Sequence, residues 1–140
     1  MSQFVLDASV ALAWCFPDEA ESNLVAERVI ERLVRGDTAV ATSFWPHEIL
    51  NALLVGEKRK RITKALIQSF LDDLTALPVT LVSSSADAVF TRIHSLAREL
   101  DLTAYDAAYL AIALDSALPL ATLDAALIRA CKKAGVDLLE

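Results

Sequence analysis

Short apolar runs, each long enough for a buried strand and no more, alternate along this chain with longer segments of helical periodicity. Phe4, Val5 and Leu6 read as a first strand ending at Asp7. Thr38–Ala41, Val79–Val82, Leu118–Ala121 and Val136–Leu139 read as four more. Between them, ASVALAW starts a helix stopped near Pro17, and a second opens at Asp18 or Glu19 and runs to Val34. Its Leu24, Val25, Val29, Ile30 and Leu33 recur at the 3.6-residue spacing of one helix face, and Gly36 stops it. Thr42 and Ser43 offer cap chemistry for a helix from Phe44 or Pro46 to Arg59, and Thr63 caps the next, which reaches Leu77. Further helices are expected from the Ser83–Ser85 cluster to Leu100, from Thr103 to Ala117 and from Asp124 to Lys133, with Gly135 ending the last. Strands of this length separated by helices imply an α/β fold in three layers, α/β/α, around a parallel sheet of about five short strands buried on both faces. No repeat, low-complexity stretch or linker interrupts the pattern, so residues 1–140 are expected to form a single domain.

The chain is 55% hydrophobic with a mean hydropathy of +0.44. Much of that is Ala and Leu in helical patterns, and no apolar run approaches the ~18 residues that span a bilayer. The opening MSQFVLDASV has no basic n-region or cleavage site, so a cytoplasmic protein with no membrane partner is expected. Excess apolar surface on a small domain points instead to a subunit or partner interface. Cys15 and Cys131 belong to no CxxC or Cys/His cluster and read as reduced buried thiols. His47 and His94 stand alone and read as surface or packing histidines. A net charge of −6 excludes coating nucleic acid through a broad basic face, though not holding RNA at one edge. The dense basic run Lys58–Arg61, with Lys64 beyond it, suits a helix C-terminus; phosphate contact is its other reading.

Four acids flank these elements: Asp7 in FVLDASV, Glu48 in SFWPHEILNAL, Asp106 in LTAYDAAYL and Asp124 in PLATLDAAL. Singly, each has a plain structural role. Asp7 and Asp124 can cap helices, Glu48 suits the first turn of one, and Thr103-x-x-Asp106 is close to a capping box. Jointly they imply more. In an open parallel sheet, the helices that follow strands all begin at the carboxyl edge, where ligands bind. Asp7, Glu48 and Asp124 follow strands and meet there by topology; Asp106 follows a helix, and spacing does not place it. Its helix is apolar nearly all round and therefore buried, where a carboxylate is costly unless paired or bound to a cation. Carboxylates gathered this closely repel one another unless some are protonated or a cation intervenes. Mg²⁺ and Mn²⁺ are hard ions suited to such oxygen ligands. The implied chemistry is metal-dependent attack on phosphate esters.

The segments VLDASV, PHEILNAL, LTAYDAAYLAIAL and LATLD, in this order and spacing, resemble those of the PIN-domain nucleases. More narrowly they resemble the VapC-type toxins of prokaryotic toxin–antitoxin pairs, over nearly the whole chain from Phe4 onward. The resemblance implies a PIN-like α/β/α sandwich and an endoribonuclease using Mg²⁺ or Mn²⁺. It makes Asp7, Glu48, Asp106 and Asp124 the acidic, metal-binding quartet and Thr122 a supporting hydroxyl. Ser9 and Asn51 would stand behind the ligands. It also implies an RNA substrate, a homodimer and a cognate antitoxin covering the active site.

Two other functions fit parts of the pattern. A phosphatase or phosphoacceptor domain would use Asp7, but such phosphatases want a second Asp where this chain has Ser9, and receiver domains want an acidic pair and a late Lys. A PIN-like binding module without catalysis would retain the fold and not the turnover. Under any reading, Phe44, Trp45, Leu50, Leu53 and Leu54, followed by Ile67, Phe70, Leu71 and Leu74, exceed what one core face needs. The surplus is expected to form a homodimer or antitoxin groove.

Overall fold

The computed structural model describes residues 2–16 and 20–139. The expected helix stop at Pro17 and helix start at Asp18 or Glu19 lie outside them. The elements are β1 (Gln3–Leu6), α1 (Ala8–Cys15), α2 (Ala20–Val34), β2 (Thr38–Thr42), α3 (Trp45–Lys58), α4 (Lys64–Thr75) and β3 (Val79–Val82). Then α5 (Ala86–Ala88) passes through a π-helical turn, Val89–Ile93, into α6 (His94–Leu100), followed by α7 (Ala104–Ser116), β4 (Leu120–Ala121) and α8 (Ala125–Ala134). The strands form one four-stranded sheet in the order β3-β2-β1-β4, and every pairing is parallel. The fold is α/β, with helices flanking the sheet.

Burial explains why β1 lies inside. Phe4, Val5 and Leu6 are fully buried, as a strand covered on both faces must be. The long helix α7 is nearly as enclosed: Ala107, Ala108, Tyr109, Leu110, Ala111 and Ala113 are all buried. Trp14 on α1 donates its indole N–H to the Ala26 carbonyl of α2 at 2.8 Å, tying the first two helices together.

The expected fifth strand is not a ladder. Val136–Leu139 runs alongside β4, but only Leu138 bridges to Leu120. The cause is the shortness of β4. Pro119 has no N–H to give, so the strand expected from Leu118 begins at Leu120 and offers few residues to pair with. The helix expected from the Ser83–Ser85 cluster to Leu100 is in turn broken by the π-helical turn. There the Thr91 hydroxyl bonds the Asp87 carbonyl at 2.8 Å, a back-bond that disturbs regular helix. Thr42 and Ser43 do not cap α3, whose cap position falls on Phe44 with no side-chain bond.

Strand order decides where a ligand would sit. From β1 the chain builds outward to β2 and β3 on one side, and later returns to place β4 on the other. The switch point therefore lies between β1 and β4, and the crevice of such a sheet opens beyond the carboxyl ends of those strands. Asp7 follows β1 directly, and Thr122 follows β4.

Candidate active site

Asp7 stands at the N-cap of α1 with extended backbone, yet its side chain makes no cap hydrogen bond. It is only 4% exposed. Its Oδ2 instead accepts two hydroxyls, Ser9 Oγ and Thr122 Oγ1, each at 2.7 Å. Both hydroxyls are themselves fixed by backbone: Leu123 N–H donates to Ser9 Oγ at 2.9 Å and Asp124 N–H to Thr122 Oγ1 at 3.0 Å. A hydroxyl has one hydrogen, so accepting from the amide commits that hydrogen to the carboxylate. The exits of β1 and β4 are thus joined through a carboxylate held by one oxygen.

Glu48 enters from the first turn of α3 and is half-buried. Tyr109 donates its hydroxyl to Glu48 Oε1 at 2.5 Å. Asp106 lies one turn before Tyr109 on α7, just past the N-cap Thr103, whose hydroxyl accepts the Asp106 N–H at 3.1 Å. Asp124 caps α8 by accepting the Leu127 N–H at 2.9 Å. Asn51, one turn beyond Glu48, is exposed and makes no hydrogen bond to the acids among the described residues.

Electrostatics ties these positions into one site. Burial pushes the Asp7 carboxyl above its ordinary range, its two hydroxyl partners pull it back, and the Asp124 charge pushes it up again. Glu48 is raised by burial and then by Asp7 and Asp106, with the Tyr109 bond opposing. Asp106 is pushed up to about 6, by burial first and then by Asp124 and Asp7. The Tyr109 hydroxyl is held strongly in its protonated form by burial and by Glu48, so it remains a donor. The Thr42 hydroxyl lies near enough to the phenol to oppose that shift a little, but no hydrogen bond closes between them and Thr42 Oγ1 is buried without a partner. Cys131 is raised to about 11 by burial and the Asp7 charge, and both cysteines are free thiols.

No lysine or arginine among the described residues pairs with any of the four acids. Nor do three of the acids, with any His or Cys, stand close enough together to enclose one ion among those residues. A hydrated hard cation does not need that enclosure: Mg²⁺ keeps several waters and takes one or two carboxylates directly. An all-oxygen set, mutually repelling and unpaired with cations, fits such an ion by its chemistry.

The basic residues lie elsewhere. Lys58–Arg61 sit at the far end of α3, ten residues from Glu48, or about 15 Å along the helix. There the Arg61 guanidinium lies 4.7 Å over the Phe16 ring. Lys132 and Lys133 occupy the last turn of α8, the end away from Asp124. His47 and His94 are exposed, and His94 Nε2 accepts from Arg98 at 3.0 Å.

Tyr109 is the site residue that sequence reasoning passed over. The signal was present: a buried tyrosine needs a partner for its hydroxyl, and this one follows Asp106 by three positions on the same helix. No helix among the described residues is long and apolar enough to cross a membrane.

Comparison with known proteins bears on this geometry. The family profile described as "PIN domain" matches residues 4–133. Among solved structures, the crystal structure of PAE2754 from Pyrobaculum aerophilum is similar, with a TM-score of 0.66 and 21% sequence identity, over 92% of this chain and 84% of that one. At that identity the likeness is one of fold. No curated protein matches the chain.

Proposed function

This chain belongs to the PIN-domain family, a fold generally used by metal-dependent nucleases, and from that premise we propose that it is an Mg²⁺- or Mn²⁺-dependent endoribonuclease. The observation that carries the reading is the group of three partly or fully buried carboxylates, Asp7, Glu48 and Asp106, each raised by burial and by its neighbours and none paired with a cation among the described residues. Such an arrangement is costly to fold and is relieved by a divalent ion.

Asp7 and Asp106 would hold the ion, directly or through its waters, with Glu48 beside them and Asp124 acting at the margin through water. A divalent ion there supplies Lewis-acid polarisation of a phosphate oxygen and a lowered pKa for a nearby water. The chain's own residues supply geometry. Ser9 and Thr122 occupy Asp7 Oδ2, leaving Oδ1 as the oxygen with no side-chain partner and so the one to bind. Tyr109 occupies Glu48 Oε1, leaving Oε2 to orient the attacking water and take its proton. In-line attack of that water on phosphorus would break the bond to the 3′-oxygen, which takes a proton from solvent, leaving a 5′-phosphate and a 3′-hydroxyl.

The motifs VLDASV, PHEILNAL and YDAAYLA support a narrower role, the toxin of a VapC-type toxin–antitoxin pair, working in the cytoplasm as a homodimer and held inactive by a cognate antitoxin. Leu50, Leu54 and Val55 on α3 and Leu66 on α4 are exposed, the surplus apolar surface such partners would cover. Light scattering at micromolar concentration would return a dimer mass; a monomer would remove that part.

The function is tested by incubating a structured RNA pool with the purified protein and Mg²⁺, Mn²⁺ or EDTA, beside Asp7→Asn and Asp106→Asn. Metal-dependent cleavage with 5′-phosphate ends, lost in both variants, is expected. Cleavage that survives both substitutions would sink the acidic-site mechanism.

A further inference from the structure

Beside the acids lies a second concavity. A cavity of about 310 Å³ opens between the ends of β2 and β3, the π-helical turn and the start of α7, with Thr42, Ser43, Phe44, Ser84, Ile93 and Tyr105 among its walls. That volume is at the lower end of the ~300–1,000 Å³ range of small-ligand sites. Its walls carry hydroxyls, aromatic rings and aliphatic groups and no charged side chain.

We propose that this cavity is a nucleobase subsite, which takes one unstacked base of a single-stranded RNA next to the bond being cut. The choice of ligand rests on the nuclease reading; the shape and chemistry of the cavity do not. Position comes first. Tyr105 immediately precedes Asp106 in the chain. The Phe44 ring packs edge-on against Tyr105 at 5.1 Å and against Tyr109 at 5.7 Å, and Tyr109 holds Glu48. Phe44 on the cavity wall thus touches the tyrosine that holds Glu48, and Tyr105 on the same wall precedes Asp106 in the chain.

Chemistry comes second. Tyr105 is 59% exposed although the middle of its helix is buried, so most of its ring is free for stacking. Bases stack on aromatic rings irrespective of sequence, because each has a π-face. Ser43 and Ser84 are exposed at the same place, and their hydroxyls can meet the edge of a base. A phosphate or sugar phosphate would want cations, and the walls have none. The dense basic run sits at the other end of α3, about 15 Å along that helix from Glu48. Grip on a substrate group inside the cavity must then come from uncharged contacts, and a stacked base is the uncharged planar part of RNA.

The test is methyl-detected NMR on the metal-free protein, titrated with each of the four ribonucleoside 5′-monophosphates and with ribose 5-phosphate as the control lacking a base. Val89 and Ile93, both on the cavity wall, report occupancy. At least one nucleotide is expected to shift both residues' methyls while ribose 5-phosphate shifts neither. Tyr105→Ala should weaken that binding roughly tenfold or more, and Tyr105→Phe, which keeps the ring, should retain it. No shift at millimolar nucleotide, equal shifts with ribose 5-phosphate, or unchanged binding in Tyr105→Ala would each overturn the proposal. The RNA cleavage assay separates the two claims. Base binding without metal-dependent cleavage upholds the subsite and removes the nuclease; cleavage without base binding removes the subsite alone.

Discussion

The exits of β1 and β4 have the same local grammar: a buried strand ends and an aspartate takes the N-cap of the next helix. They use that aspartate in opposite ways. At the β4 exit, Asp124 accepts the Leu127 N–H and does the ordinary work of a cap. At the β1 exit, Asp7 leaves α1 without a side-chain cap and takes two hydroxyls instead, one of them from across the crevice. A cap typically contributes ~1 kcal/mol, so the β1 exit forgoes that stabilisation and also buries a carboxylate. An acid at a capping position that does not cap, and is held in part by a hydroxyl brought from another strand, has been positioned for something other than the helix.

The sharpest way to break the comparison is to remove each charge while keeping its shape. Asp7→Asn should reduce metal-dependent RNA cleavage by more than the ~100-fold that residues merely supporting a ligand typically cost. In EDTA the same variant should be more stable than the parent, because a desolvated charge is gone and an acceptor oxygen remains for Ser9 and Thr122. A gain of about 1 kcal/mol, or a few degrees in Tm by calorimetry, is expected. Lower stability together with full activity would mean that Asp7 is structural.

Thr122→Val acts on the hydroxyl that joins the two exits. It leaves Asp7 Oδ2 with Ser9 alone and orphans the Asp124 N–H. Metal affinity by titration calorimetry, or cleavage rate, should fall ~10–100-fold, and Thr122→Ser should restore most of it. A Val variant equal to the parent in metal affinity would reduce the cross-crevice bond to a packing detail.

The pH dependence of the metal-free protein follows from the raised carboxyls. Asp106 titrates at about 6 when folded against 3.8 in its ordinary state, so between those values the folded protein holds a proton that the unfolded chain has released. Stability should therefore fall as pH rises from about 4 to about 6 and level off above, with Asp7 and Glu48 adding in the same direction. Mg²⁺ or Mn²⁺ competes with those protons, so the rise in Tm on adding metal should be larger at pH 7.5 than at pH 5. Tm measured against pH in EDTA checks the first statement, and Asp106→Asn should flatten the slope. A stability that climbs through this window would contradict the raised carboxyls.

These contrasts also mark what the sequence could reveal. The strand–helix alternation was readable because the apolar runs are short and sharply bounded. The strand-exit positions of Asp7 and Asp124, and the entry of Glu48 after β2, follow from that pattern with topology. Asp106 was not placeable, because it follows a helix; only the packing of α7 brings it within reach of Asp7 and Asp124. The two-residue length of β4 was hidden by an apolar run that Pro119 cuts short. Tyr109 read as part of a buried helix because one sequence does not say where a hydroxyl finds its partner. Nor does composition show that Lys58–Arg61 sit a helix length from the acids.

The smallest expected effect lies at the other exit and is the most discriminating. Asn is as good an N-cap as Asp, whereas Ala is not. Asp124→Asn should therefore keep the cap and hold Tm at or slightly above the parent's, since a charge that repels Asp7 and Asp106 is gone, while Asp124→Ala should lie ~1 kcal/mol below Asp124→Asn through the lost Leu127 N–H bond. If Asp124 is only a cap, both variants cleave RNA at parental rates once folded. If its charge helps to hold the ion through water, Asn and Ala should lower metal affinity by the same few-fold despite their different stabilities. The two properties separate because the cap needs an acceptor oxygen and the ion needs a negative charge. A loss in Asp124→Asn as large as that in Asp7→Asn would erase the distinction between the two exits and make Asp124 a direct ligand that also caps.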